Sequence, residues 1–139
     1  MTQLPNLRIP LLLTRLSIFV FLLPWQLMRF SKPESAKGIA AKYYKVSSLP
    51  DVVHTAIAVF MMALLIAFLL GFKKRISYGL IFLLHAVGTA FTLPYLIPGT
   101  ENFNILFMAA IPTIMAMFIL YRLREADTIS LDSVLSDKK

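Results

Sequence analysis

The sequence predicts an all-α integral membrane protein: an up-down-up-down bundle of four transmembrane helices, with a short amphipathic interfacial helix between the first and second spans. Hydrophobic residues make up 58% of its 139 residues, against about 45–50% in soluble domains. They are concentrated in four runs of roughly 20 residues, the length that crosses a bilayer. The connections after the second and third runs are short, so consecutive helices are expected to be antiparallel neighbours.

The first predicted span covers residues 9–28, between Arg8 and Arg29. No small-residue cleavage site follows this apolar run, which argues against a signal peptide. Trp25 fits an anchor at the membrane interface. Pro24 is expected to loosen or kink the last turn, because proline removes a helical hydrogen bond.

An amphipathic helix is predicted for residues 32–46, in the connection to the second span. Ser31 followed three positions later by Glu34, with Pro33 between them, is a helix-start signal. Apolar and charged residues then fall on opposite faces, which is typical of a helix lying in the membrane interface. The apolar face carries Ala36, Ile39, Ala40, Tyr43 and Val46, and the charged face carries Glu34, Lys37, Lys42 and Lys45.

The other three spans are predicted, in chain order, at residues 52–72, 76–97 and 103–121. The basic turn Lys73–Arg75 ends the second span, and Pro98–Thr100 is a turn signal between the third and fourth. We therefore expect a single four-helix transmembrane domain over residues 1–124. A polar and loosely ordered cytoplasmic tail is expected to follow at residues 125–139.

The positions of the basic residues predict a membrane protein with both termini in the cytoplasm. The loop after the second span carries three cations, Lys73–Arg75, whereas the loop after the third carries no cation and one acid, Glu101. The first connection is also basic, and we interpret it as a helix on the outer surface. The net charge of +7 indicates contact with anionic lipid rather than nucleic acid, because no recognition module accompanies it.

Arg15 is the most informative residue within the spans. It lies about 10 Å deeper than Arg8 along the helix, and a charge at the centre of a span costs roughly 2.5–3.5 kcal/mol on insertion scales. Its side chain can reach back to the headgroups, or it can face the bundle and bind a carboxylate or another anionic group. The acceptors within reach in the second case are Glu125, Asp127, Ser77 and Tyr78.

His85, Thr89 and Thr92 share one face of the third span. This face either packs inward with its polar groups bonded across helices, or binds a ligand such as a quinone headgroup near mid-membrane. A haem held by His54 and His85 is a further alternative, weakened by their unequal depths. The chain has no cysteine, and no metal-ligand cluster, nucleophile–base pair or phosphate loop is apparent. No catalytic residue and no metal site is therefore assigned, and neither quinone nor haem is required.

Three features of the sequence occur together. Arg15 lies early in the first span, the motif Met28–Ile39 follows its exit, and the glycine-containing basic turn Gly71–Arg75 joins the second and third spans. Together they resemble the DoxX-like family of small four-helix bacterial membrane proteins, over residues 11–123. Many members have a glutamate followed by glycines late in the second span, whereas residues 64–71 contain no acid. The family takes its name from a membrane subunit of a thiosulfate:quinone oxidoreductase.

Small size, the lack of a catalytic set and the basic connection favour a non-catalytic or accessory subunit that docks a membrane-protein partner or a second copy. The resemblance implies a quinone-linked redox complex as one setting. Two alternatives stay open: a redox subunit binding quinone or haem around Arg15 and His85, and a small oligomeric transporter or channel subunit with helices broken at Pro94 and Pro112. The candidate partner- or lipid-binding residues are Arg29, Lys32, Lys37, Lys42 and Lys45, and the candidate cofactor-binding residues are His85, Arg15, Thr89 and Thr92.

Overall fold

The computed structural model describes residues 6–47 and 49–138, and this part of the chain is helical with no strand. Residues 1–5, 48 and 139, which fall in the predicted domain, first connection and tail, lie outside it. Two 3₁₀ segments, Ile105–Ala109 and Arg124–Ala126, flank the last long helix. The helices are α1 (Arg8–Ser31), α2 (Pro33–Tyr44), α3 (Asp51–Leu70), α4 (Lys74–Phe91), α5 (Leu93–Leu96), α6 (Ala110–Arg122) and α7 (Leu131–Ser136).

Three of the described helical segments are long and apolar enough to cross a membrane: α1, α3 and the continuous segment Ile105–Arg122, which contains α6. This confirms, for the described residues, the prediction of an all-α chain with helices long and apolar enough to cross a membrane. α4, expected within the third span, is 18 residues long and falls outside that set. It begins with two basic residues and stops before Thr92, and Pro94 lies in the first turn of α5. The predicted span 76–97 is therefore divided between two helices.

The long helices contact one another in a closed order: α1 packs against α3 and α6, and α4 packs against the same two helices. Along α1, the buried residues Leu11, Arg15 and Ile18 recur at helical spacing, which makes one inward stripe. Arg15 therefore faces the bundle. The buried apolar cluster around it consists of Leu11, Ile18, Leu64, Leu65, Phe68, Tyr78, Ile81, Met117 and Leu120.

Large apolar side chains are exposed along the outward faces of the long helices. Examples are Val20, Phe60, Leu83 and Ile119, which are each half-exposed or more. A soluble protein rarely leaves so much apolar surface in water. In a bilayer the same faces contact acyl chains, while the helical backbone satisfies its own hydrogen bonds.

α2 forms where the amphipathic helix was predicted, and packs against α1 and α4. Ala36 on its apolar face is buried, whereas Lys42 on its charged face is exposed. Lys45 adopts a left-handed conformation with φ 58° and ends the helix. Val46, which the sequence placed on the apolar face, therefore lies beyond the helix and is exposed.

The segment that follows α6 folds back onto the bundle, so the expectation of a loosely ordered tail is wrong for its described part. It makes the 3₁₀ turn Arg124–Ala126 and then α7. Ser130 caps α7 by accepting a hydrogen bond from the Ser133 amide. Asp127 and Ser130 are both buried. Polar composition alone indicated loose order, but the Asp127 side chain has buried partners on α1 and α4, which are Arg15 and Tyr78.

Candidate functional site

Arg15 lies at the centre of a buried polar cluster that joins α1, α4 and the tail. Its Nη1 donates to Asp127 Oδ2 at 2.7 Å and to the Tyr78 hydroxyl at 2.9 Å, and its Nη2 donates to the Ile129 carbonyl at 2.6 Å. The Tyr78 hydroxyl donates to the same Asp127 oxygen at 2.6 Å. The Arg15 and Asp127 side chains are 4% and 0% exposed. The arginine is therefore paired inside the bundle rather than extended toward the headgroups.

The cluster uses most of its own hydrogen-bonding capacity. Within the described residues, Arg15 Nε and Asp127 Oδ1 are its buried side-chain atoms without a hydrogen-bond partner. Burying two charges costs several kcal/mol per ion, and their attraction repays this only with good geometry and further hydrogen bonds. The bonds from Tyr78 and to the Ile129 carbonyl supply that support. The arrangement is chemically suited to hold the tail against the bundle.

A second set of contacts joins the tail to the start of α4. Lys74 is buried, and its Nζ donates to the carbonyls of Arg124 at 2.8 Å and Asp127 at 3.0 Å. The Asp132 carboxylate accepts from the backbone amides of Lys73 at 2.7 Å and Lys74 at 2.8 Å. These amides have no partner within the helix, and a carboxylate there also interacts favourably with the helix dipole. The sequence did not predict this cap, because Asp132 lies 58 positions beyond Lys74.

Gly71 allows the tail to approach this end of the bundle. Its φ of +63° is in the left-handed region that favours glycine, and it ends α3. A Cβ at this position would lie 2.5 Å from the Ser130 Cβ and 2.7 Å from Arg15 Nη1. The Gly71 carbonyl also accepts a hydrogen bond from the Asp132 amide at 3.2 Å. Both the turn and the close contact therefore require a residue without a side chain.

The basic turn and the tail together line a pocket of about 550 Å³ that is open to solvent. One wall is formed by Lys73–Arg75 and Ile76, and the other by Asp132 and two serines of α7. Glu125 also lines it, and its Oε1 is 3.3 Å from Arg124 Nε. The volume falls within the range of roughly 300–1,000 Å³ that is usual for small-molecule sites.

The structure separates the four residues that the sequence proposed as one cofactor site. Tyr78, which binds Arg15, lies two helical turns before His85 on α4, a distance of about 10 Å along the axis. The Thr89 hydroxyl donates to the His85 carbonyl at 2.9 Å, and the Thr92 hydroxyl donates to the Thr89 carbonyl at 3.1 Å. Both hydroxyls therefore bond carbonyls of their own helix, and neither makes the bond across helices that one of the two alternatives expected.

The His85 ring lies edge-on to Phe21, with ring centroids 6.0 Å apart and an interplanar angle of 77°. Its Nε2 is buried and has no hydrogen-bond partner within the described residues, and the same holds for His54. The ends of α3 and α4 meet at the basic turn. His85 lies about 17 Å along α4 from that turn, and His54 lies about 24 Å along α3 from it, so the two rings are at unequal depths. In the part of the chain that the structure describes, no group of three metal-binding side chains is assembled.

The basic residues predicted to bind lipid or a partner do not form one free surface. Lys37 Nζ bonds Asp51 Oδ1 at 2.5 Å and Glu34 Oε1 at 3.0 Å. The hydrogen bond to Asp51, followed by that to Glu34, raises the pKa of Lys37 above its ordinary value. Arg29 is half-buried. The exposed members of the set are Lys32, Lys42 and Lys45.

An aromatic cluster that sequence reasoning missed lies beside Lys42. Tyr43 of α2, Tyr95 of α5 and Phe107 of the first 3₁₀ segment meet pairwise, with ring centroids 5.0–5.3 Å apart. The Lys42 ammonium lies 5.0 Å from the Tyr43 ring centroid. The three aromatic residues are far apart in sequence, so only the position of Tyr43 on the apolar face of α2 signalled a packing role.

Two of the four acceptors that the sequence offered for Arg15 bind it, namely Asp127 and Tyr78. Glu125 is 84% exposed and lies beside the guanidinium of the neighbouring arginine. The Ser77 hydroxyl donates to the Phe72 carbonyl instead, at 2.9 Å. The predicted topology thus placed the two true acceptors among four candidates, but it could not tell them from the other two.

No protein-family model matches this chain, and neither a curated protein nor a solved structure is significantly similar to it. In its described part, the chain is a helical protein with three segments long and apolar enough to cross a membrane, and its folded tail covers one end of the helix bundle. A functional interpretation therefore rests on the chemistry of the side chains that the structure describes.

Proposed function

We propose that this chain is a DoxX-like integral membrane protein that crosses the membrane four times, with α4 as the third span and α2 lying in the interface. The closed order of contacts among α1, α3, α4 and α6 supports an up-down-up-down bundle. The three sequence features on which the resemblance rests also have defined places in the fold. Arg15 is buried, Met28–Ile39 includes the junction of α1 and α2, and Gly71–Arg75 contacts the tail.

The proposed orientation places both ends of the chain in the cytoplasm. Lys73–Arg75 joins α3 to α4, and Arg122 and Arg124 close α6 at the same end of the bundle, where the tail contacts Lys74. Basic residues are enriched in the cytoplasmic loops of membrane proteins. This supports assignment of the basic turn and the tail to the cytoplasmic side of a bacterial inner membrane.

The proposed role is that of a non-catalytic accessory subunit of a membrane complex, for which a quinone-linked redox complex is one setting. The observation that carries it is the internal closure of the buried polar cluster. Arg15, Tyr78 and Asp127 make four hydrogen bonds among themselves and to a tail carbonyl. An enzyme site needs groups positioned to act on a substrate, and this cluster is used to join parts of the same chain.

Co-purification from the native membrane tests this role. The protein is extracted gently and purified, and mass spectrometry identifies proteins and small molecules that remain bound, with an absorption spectrum of the same sample. We expect a stoichiometric protein partner and no bound cofactor. If docking uses the exposed basic residues near α2, the partner is lost from a Lys32→Gln/Lys42→Gln/Lys45→Gln variant.

A Lys138→Gln variant is the control for that experiment, because Lys138 is an exposed tail lysine at the other end of the bundle. The partner should remain bound to it. Purification of the protein without any partner, and with bound quinone or haem, would contradict the accessory role.

A second candidate function, a quinone- or haem-binding redox subunit, is favoured by one observation. His85 Nε2 is buried beside Phe21 and has no partner within the described residues. A neutral imidazole can donate to a quinone carbonyl or bind a haem iron. If this function holds, bound quinone or the haem spectrum is lost in His85→Ala and kept in Thr89→Val, whose hydroxyl bonds only its own helix. Equal retention in both variants would refute a site at His85.

A further inference from the structure

We propose that the pocket between the basic turn and α7 binds the headgroup of an anionic phospholipid. Three consecutive cations, Lys73–Arg75, form one of its walls. The two carboxylates that also line it are partly offset, since Glu125 lies 3.3 Å from Arg124 and Asp132 accepts two backbone amides. Among the lining residues, three are cations and two are carboxylates. The site is therefore net positive.

Two of these cations are available to a ligand. The Lys74 ammonium is occupied by two tail carbonyls. Lys73 and Arg75 are exposed, and their side chains make no hydrogen bond or ion pair within residues 6–47 and 49–138. Arg75 offers a planar set of N–H donors that matches phosphate oxygens, and Lys73 adds a mobile point charge. Together they suit a phosphate group held at the rim of the pocket.

The apolar surroundings distinguish a lipid from a soluble anion. Ile76 lines the pocket next to Arg75 and is 56% exposed. Leu83 and Val87 follow on the same helical face and are also exposed. This row runs from the pocket along the outward face of α4, in the direction that acyl chains take from a bound headgroup. Basic pockets at the ends of transmembrane helices commonly bind acidic lipid headgroups in this way.

Lipid bound here would also stabilise the docked tail. One wall of the pocket belongs to the basic turn and the other to α7, so the complete site exists only when the tail is folded back. A ligand that binds only the docked state stabilises that state by mass action. Anionic lipid should therefore slow proteolysis of the tail as well as raise thermal stability.

Lipid binding is tested on the full chain in nanodiscs of phosphatidylcholine, with and without phosphatidylglycerol. Native mass spectrometry measures retained phosphatidylglycerol, and the thermal unfolding midpoint reports stabilisation. Replacing both free cations in Lys73→Gln/Arg75→Gln should weaken binding by roughly 30-fold, from the usual contribution of a cation near an anionic surface. Arg75→Gln alone should give a smaller loss, and it keeps every tail contact described above.

The matched control is Arg8→Gln/Arg122→Gln, which removes the same charge from two exposed cations that do not line the pocket. It should retain phosphatidylglycerol as the wild type does. Equal losses in the two double variants, or no loss in either, would overturn the proposal. So would equal stabilisation by glycerol phosphate, a soluble anion without acyl chains. None of these results depends on a protein partner, so they are separable from the proposed accessory role.

Discussion

Replacing Asp127 by alanine measures how strongly the buried cluster holds the fold together. The substitution leaves the Arg15 charge buried without its carboxylate, and removes the acceptor of the Tyr78 hydroxyl. Removing one partner of a buried ion pair costs about 3–5 kcal/mol, mainly because an uncompensated charge remains. Since both side chains are almost fully buried, solvent offers little screening. We expect the free energy of unfolding to fall by about that amount.

A double-mutant cycle separates the ion pair from the cost of the charge that is left behind. Arg15→Met removes the guanidinium and keeps an apolar chain that can fill the space. The combined variant Arg15→Met/Asp127→Ala should lose less stability than the two single losses added together, because it buries no unpaired charge. Denaturant titration in detergent micelles gives the three free energies. Limited proteolysis of the same samples reports release of the tail.

Glu125→Ala is the control, because it removes an acid from the same tail segment whose side chain is 84% exposed. Its effect should stay within about 0.5 kcal/mol. A loss below about 1 kcal/mol for Asp127→Ala, or strict additivity in the cycle, would refute the account of the cluster given above.

Three further predictions concern the elements around the site. Gly71→Ala should lower the thermal midpoint, because the added Cβ clashes with the tail. Gly38→Ala, in open space on α2, should raise the free energy of unfolding by about 0.5–1 kcal/mol. Equal effects of the two substitutions would contradict this. Asp132→Ala should cost about 0.5–2 kcal/mol and speed hydrogen exchange at the first amides of α4, as loss of a cap does, and unchanged exchange would refute the cap. The bond to Asp51 raises the pKa of Lys37, so the charged amine contributes fully below its ordinary value of 10.5 and ceases to contribute as pH rises through the raised value. The difference in thermal midpoint between wild type and Lys37→Met should therefore shrink above pH 10.5, and a constant difference would contradict it.

The helical elements were predictable where their causes are local. Long apolar runs gave α1, α3 and the segment containing α6, and the alternation of apolar and charged faces gave α2. The break near Thr92 was not located, because apolar residues continue through it to Ile97 and hydropathy averages over the interruption. Only Pro94, which lacks a backbone donor, signalled that break.

The polar cluster was predictable in part. A buried charge needs a partner, so Arg15 directed attention to the acids after α6, and Asp127 was among them. The cap by Asp132 and the close approach at Gly71 depend on the path of the tail, which no local pattern encodes. The tail has no long apolar run, so its order comes from a few specific hydrogen bonds rather than from composition.

The separation of Arg15 and Asp127 by 112 positions has a consequence for biosynthesis. At about 5–20 residues per second, the carboxylate is made roughly 6–22 s after the arginine. In the proposed topology, the newly made first helix during that interval carries a cation that has no carboxylate from the tail, and an unpaired charge within a span is unfavourable. In that topology the protein assembles in at least two stages, because the pair of Arg15 and Asp127 forms only after the tail has been made.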